Sequence, residues 1–209
     1  MTLEEILIES SSYLDQANEL PTGDDYDVRV SFANKAINEW QSAYRFSELR
    51  KKYVFSASTL ATVPLPTDFS VMSQNPQELR DNNNWITHEL IDPKETYIDA
   101  PLFFCYQQGN PKEGYSLWFN NLAVGATVTI DYYKTATSLT TLTDVPEMSD
   151  PNYISESIIA GVLEARGDDR FPIVRARAQA RLNGMVGDNQ SGATPVTRVP
   201  KMYYKLGRR

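Results

Sequence analysis

Two residues carry the only imidazole and thiol chemistry in the chain: His88 is the single histidine and Cys105 the single cysteine of 209 residues. Zinc centres built from several histidines or cysteines are therefore ruled out, and a Cys–His nucleophilic dyad would have to use this one pair. The two stand 17 residues apart on separate strand candidates. Lone residues of these types in β segments serve as packing groups, so a structural role is expected for both. Cys105 lies inside LFFCY, can form no intrachain disulfide, and reads as a small buried apolar residue. The acidic pairs Asp24-Asp25 and Asp168-Asp169 each follow a glycine. Paired carboxylates can hold magnesium for phosphoryl chemistry, which keeps a magnesium-dependent nuclease open as an alternative. Both pairs also sit where helices begin or end, and capping is the favoured reading. Trp85, Trp118, Tyr115, Tyr132 and Tyr133 could stack on sugars in a carbohydrate-binding β module, but they alternate with polar residues as a half-buried sheet requires. There is no phosphate loop, GxSxG or dinucleotide fingerprint. No enzyme, metal or cofactor is expected.

The last stretch, SGATPVTRVPKMYYKLGRR, has a different character. Asp188 is the final acidic residue, and five of the 20 basic residues, Arg198, Lys201, Lys205, Arg208 and Arg209, follow it, leaving 15 against 27 acidic ones in the rest. An acidic body thus ends in a basic arm. Val196, Val199, Met202, Tyr203, Tyr204 and Leu206 make this arm too apolar for an idle solvated tail. Gly187, Gly192, Pro195 and Pro200 are expected to stop a helix, so residues 188–209 read as an extended docking arm with Tyr203 and Tyr204 as anchors. A basic tail without fixed structure or folded on its own body is the alternative, and direct nucleic-acid contact by Arg208 and Arg209 a third.

The elements that must position these residues follow from periodicity. From Thr2 to Leu20 apolar residues recur near a 3.6-residue period, and a second stripe, Val28, Phe32, Ala33, Ala36, Ile37, Trp40, Ala43 and Tyr44, runs on to about Lys52. From Tyr53 the period becomes two, and roughly seven strand candidates reach Lys134, among them YSLWF and VTIDYY. Asp150-Pro151 opens a third helix that Gly167 breaks, and a fourth, Pro172 to about Val186, places Ile173, Ala176, Ala180 and Leu182 on one side. The predicted fold class is α+β: a four-helix core (1–52 and 149–187) with an inserted antiparallel β domain (53–148) and the arm (188–209). Trp40 is expected to pack on Ile158, Ile159 or Val162. The acidic start MTLEEILIESSSYL and the lack of a long apolar run predict a protein kept in a cytosol-like compartment, with no membrane contact.

The order of short phrases is more specific. Trp40 in helix two is followed by the strand YVFSAS, the phrase VPLPTDFSVM (63–72), YSLWF, VTIDYY, and LTTLTDVPEMSDPNYISESIIAGVLEAR (139–166). This succession, over most of residues 25–187, resembles head-to-tail adaptor proteins of tailed bacteriophages, also called connector or neck proteins. The long β insertion looks most like adaptors of short-tailed phages. The resemblance implies a homo-oligomeric ring, dodecameric in such adaptors, beneath the portal protein. It would extend the DNA channel and offer a platform to tail or nozzle proteins, with the C-terminal segment docked on the portal. It also implies location in the virion neck, after assembly in the host cytoplasm. An acidic channel would let DNA pass without specific binding, because it repels phosphates.

Overall fold

The computed structural model describes residues 1–56, 62–80, 83–94 and 100–192 of the chain. Within them the protein is α+β, with four helices and mostly antiparallel sheets. Helix α1, Leu3–Leu14, starts on a capping box: the Thr2 hydroxyl accepts the Glu5 amide and the Glu5 carboxylate accepts the Thr2 amide. The two remaining free amides of that turn, Leu3 and Glu4, donate to the carbonyls of Asp144 (2.8 Å) and Leu142 (3.0 Å). The LTD phrase thus tethers the first helix across more than 130 residues. The periodicity predicted α1 to reach Leu20, but it stops at Leu14. The carboxylate of Asp15 is claimed by Arg29 and Arg166, and Gln16 turns away at φ 52°.

Helix α2, Asp24–Ala43, begins after Gly23, whose φ of 60° a side-chain-bearing residue would find strained. It ends well short of the expected Lys52. Tyr44 is extended, and the chain doubles back so that the fully buried Phe46 stacks on Trp40 with ring centroids 4.7 Å apart. Burying that ring outweighs another helical turn. A single 3-10 turn, Ser47–Leu49, leads into β1, Arg50–Ser56, so the β region starts at Arg50 and not Tyr53.

Eight further strands follow: β2 Thr62–Pro64, β3 Phe69–Met72, β4 Gln77–Arg80, β5 Asn84–Thr87, β6 Glu89–Leu90, β7 Phe104–Asn110, β8 Gly114–Phe119 and β9 Thr127–Lys134. One sheet runs β1-β9-β4-β5 with β3 also on β9, and the other runs β2-β8-β7-β6. The expectation of an antiparallel block fails at one edge, where Glu89 and Leu90 pair parallel with Phe104 and Cys105. Residues 91–103 separate β6 from β7, a length that allows the crossover a parallel pairing requires. Val63, Leu117, Cys105 and Phe119 from one sheet share an apolar cluster with Val128, Ile130 and Tyr132 from the other.

Helix α3, Asn152–Arg166, begins where Asp150 accepts the Asn152 amide and ends at Gly167, φ 66°, as the sequence predicts. Helix α4 spans Phe171–Gly192, longer than expected. Gly184 and Gly187 lie inside it, since an interior glycine costs only about 1 kcal/mol, and its last turns are held by Asn189, whose side-chain oxygen accepts the amide and hydroxyl of Ser47 at 2.9 Å each. Residues 188–192 therefore belong to α4 and not to an extended arm. The buried stripe of α4 is Val174, Ala178, Leu182 and Met185, while Ile173 is 66% exposed. The face through Ile173 carries Arg177 one turn on, and burying that guanidinium would be costly.

Leu3, Ile6 and Leu7 of α1, Ile37 and Trp40 of α2, Ile154, Ile158 and Val162 of α3, and Leu182 and Met185 of α4 share one cluster. Ile159 instead faces Val174 in a separate patch between α3 and α4. Of the three partners expected for Trp40, Ile158 and Val162 share its cluster and Ile159 does not.

Candidate docking surfaces

The motif residues are used inside the fold. In the LPTDF phrase, Phe69 is buried between Tyr115 and Tyr132, with centroids 5.7 and 5.8 Å away. The Asp68 carboxylate accepts the Tyr132 hydroxyl (2.8 Å) and the Lys51 ammonium (2.9 Å), and its carbonyl accepts the Thr135 amide (2.7 Å). Burial tends to raise the Asp68 pKa, but the bonds from Lys51 and Tyr132 outweigh it and hold the carboxyl below its usual range. Burial and the same carboxylate push Tyr132 up to about 12. The phrase is a corner locked onto the "YY" strand. Asp144 of LTD has its carboxylate wrapped by the Thr141 hydroxyl and the Thr140 and Thr141 amides, which together lower it to about 2.

The residues considered for catalysis are dispersed. His88 is fully buried between Phe103 and Phe119, its Nε2 2.6 Å from Glu78. Glu78, also fully buried, is pushed up by desolvation but more strongly pulled down by Arg80 and His88. It further accepts the Ala123 amide and so braces the loop before β9. Cys105 is fully buried, and burial raises its thiol to about 12, leaving no nucleophilic thiolate near neutrality. Asp24 and Asp25 lie in the first turn of α2. Asp168, in the α3–α4 turn, accepts the Arg170 amide and guanidinium, which lower it to about 2. Among the described residues no three His, Cys, Asp or Glu side chains are grouped to hold a metal ion. No helix there is long and apolar enough to cross a membrane. The aromatics are occupied by one another: Trp118 stacks on Tyr106 at 5.0 Å and Tyr132 is buried, with Trp85 alone of the five strongly exposed.

The arm residues Val196, Arg198, Val199, Lys201, Met202, Tyr203, Tyr204, Lys205, Leu206, Arg208 and Arg209 lie outside the described residues. The last described residues are those at the end of α4. Asn189 pins the end of α4 against Ser47, and there a cleft of about 460 Å³ opens between α4, the α2–β1 connection and β9. Two adjoining clefts of about 420 and 600 Å³ share Tyr44, Arg45 and Tyr133 with it. This groove was not singled out in the sequence, because its walls come from residues 41–50, 70–71 and 133–135, each unremarkable alone. Arg29, 2% exposed and tied to Ser10, Ser11 and Asp15, was also missed: it sits in the apolar stretch of α2 with no local partner to announce it.

The LPTDF corner and the LTD tether both hold the shape of the body, one locking onto β9 and the other capping α1. No curated protein matches the chain. The family model described as SU10 adaptor protein matches residues 1–199, and the chain belongs to that family of phage adaptors.

Proposed function

We propose that the protein is a structural head-to-tail adaptor that assembles as a ring beneath the portal of a tailed phage, continues the DNA channel and presents the β block to tail proteins. Residues 196–209 would dock on the portal. The observation that carries this reading is the family match over residues 1–199. The excess of 27 acidic over 20 basic residues suits a channel wall along which DNA slides without binding.

The test mixes portal rings with the intact protein, a chain ending at Thr194, and a Tyr203→Ala/Tyr204→Ala variant, counting bound copies by native mass spectrometry. The truncated chain should fold but fail to stay on the portal, and the double variant should bind more weakly by about 2 kcal/mol per tyrosine. Salt should slow docking more than it loosens the finished joint. A truncated chain that decorates portals as fully as the intact one would remove the arm from the joint.

A further inference from the structure

We infer that neighbouring copies of this chain meet head to tail, the acidic start of α2 in one copy entering the Tyr44–Arg45–Tyr133 groove at the end of α2 in the next. This deepens the ring reading and rests on it. In the two clefts that open toward β3 no acidic residue lines the wall. Lys134 there is already neutralised by Glu147. Arg45 is exposed and, among the described residues, has no ion pair or hydrogen bond. In these two clefts Arg45 is the one cation without a described partner, beside the half-buried rings of Tyr44 and Tyr133 and the side chain of Val71, while Glu48 and Asp188 line only the adjoining cleft toward α4.

The complementary surface lies at the other end of the same helix. Asp24, Asp25 and Asp27 are exposed in the first turn of α2, and none has a described side-chain partner. The helix dipole favours acids at that end, but it does not account for Val28, left 44% exposed beside them. Asp24, Asp27 and Val28 share one face, at spacings of three and four residues. That face offers an apolar contact and negative charge together, as the groove offers rings and a positive charge. Helix α2 has 20 residues, so its two ends are about 30 Å apart. Two different, mutually attractive patches on opposite ends of one rigid element suit a heterologous contact that repeats from copy to copy, which forms a ring where the rotation between copies closes and a filament where it does not. A two-fold symmetric contact through either patch would instead oppose like charges.

Two variants test this. Arg45→Glu makes both ends of α2 acidic, and Asp24→Lys/Asp27→Lys makes both basic. Neither should self-assemble, with association weakened about tenfold or more, whereas an equimolar mixture should assemble, since each groove then meets an opposite knob. Assembly is read by sedimentation velocity and by copies bound per portal ring. Recovery in the mixture also shows that both variants are folded. The inference is overturned if either variant alone assembles like the parent, or if the mixture stays dispersed while the parent assembles. A parent that neither self-associates nor loads portals would sink the ring reading itself, and this contact with it.

Discussion

Removing Arg29 tests most directly how the helical part is held together. Its guanidinium is 2% exposed, donates to the Ser11 hydroxyl at 2.9 Å and the Ser10 hydroxyl at 3.3 Å, and pairs with Asp15 at the end of α1. Arg29→Ala leaves a cavity, strands the Ser11 hydroxyl and gives up the pair, so it should cost about 2–5 kcal/mol, the range for truncating a large buried side chain. Arg29→Met fills most of the volume. Asp15 is about one-third exposed and keeps Arg166, so water and that second guanidinium can hold its charge. The Met variant should then cost only about 1–3 kcal/mol, the penalty of an unmet buried hydroxyl. The pH dependence has a definite sign. Desolvation pushes Asp15 up, but Arg29 and Arg166 outweigh it and hold the carboxyl below its ordinary 3.8. A depressed folded pKa contributes stability that is complete above 3.8 and disappears as pH falls through the folded value. The gap between parent and Arg29→Met should therefore narrow on acidification, because protonated Asp15 no longer pairs. Urea unfolding followed by circular dichroism, near neutrality and again below pH 3.8, measures both quantities. A gap that stays constant, or an Arg29→Ala protein within about 1 kcal/mol of the parent, would refute the argument.

Two further outcomes are expected. Trp40, 1% exposed and stacked on Phe46, lies in the cluster to which all four helices contribute, so Trp40→Ala should cost about 3–5 kcal/mol and leave little soluble protein; a fully stable variant would show that the helices do not share that core. Asp144→Ala should release the Thr140 and Thr141 amides and loosen the carbonyls that cap α1, which hydrogen exchange would report as faster loss of protection at Leu3 and Glu4 than at Ile154.

What the sequence made legible was local chemistry. The switch of period at the β block, the opening of α3 at Asp150-Pro151 and its close at Gly167 depend on neighbours within a turn, and each was readable. What stayed hidden depends on distant partners. The end of α1 is set by Arg29 and Arg166 acting on Asp15, the end of α2 by the stacking of Phe46 on Trp40, and the length of α4 by Asn189 reaching Ser47. The register of α4 was misread because Ile173 attracts attention that Val174 and Ala178 deserve, and the parallel pairing of β6 has no local signal. Among candidate sites, the packing roles of His88 and Cys105 were readable from their isolation. The groove around Arg45 was not, since three distant segments build it.

The tether between Leu3 and Asp144 also sets a timetable for the nascent chain. Helices α1 and α2 are complete once residue 43 has left the ribosome, yet the surfaces they bury belong to α3, which ends at Arg166. At synthesis rates of about 5–20 residues per second, the intervening chain takes roughly 6–25 seconds to appear. During that interval Leu3, Ile6, Leu7 and Trp40 have no α3 to cover them, and α1 lacks two of its four N-terminal hydrogen-bond partners. The helical part therefore cannot close as the chain emerges, and the β block in between is the first unit able to bury a core of its own.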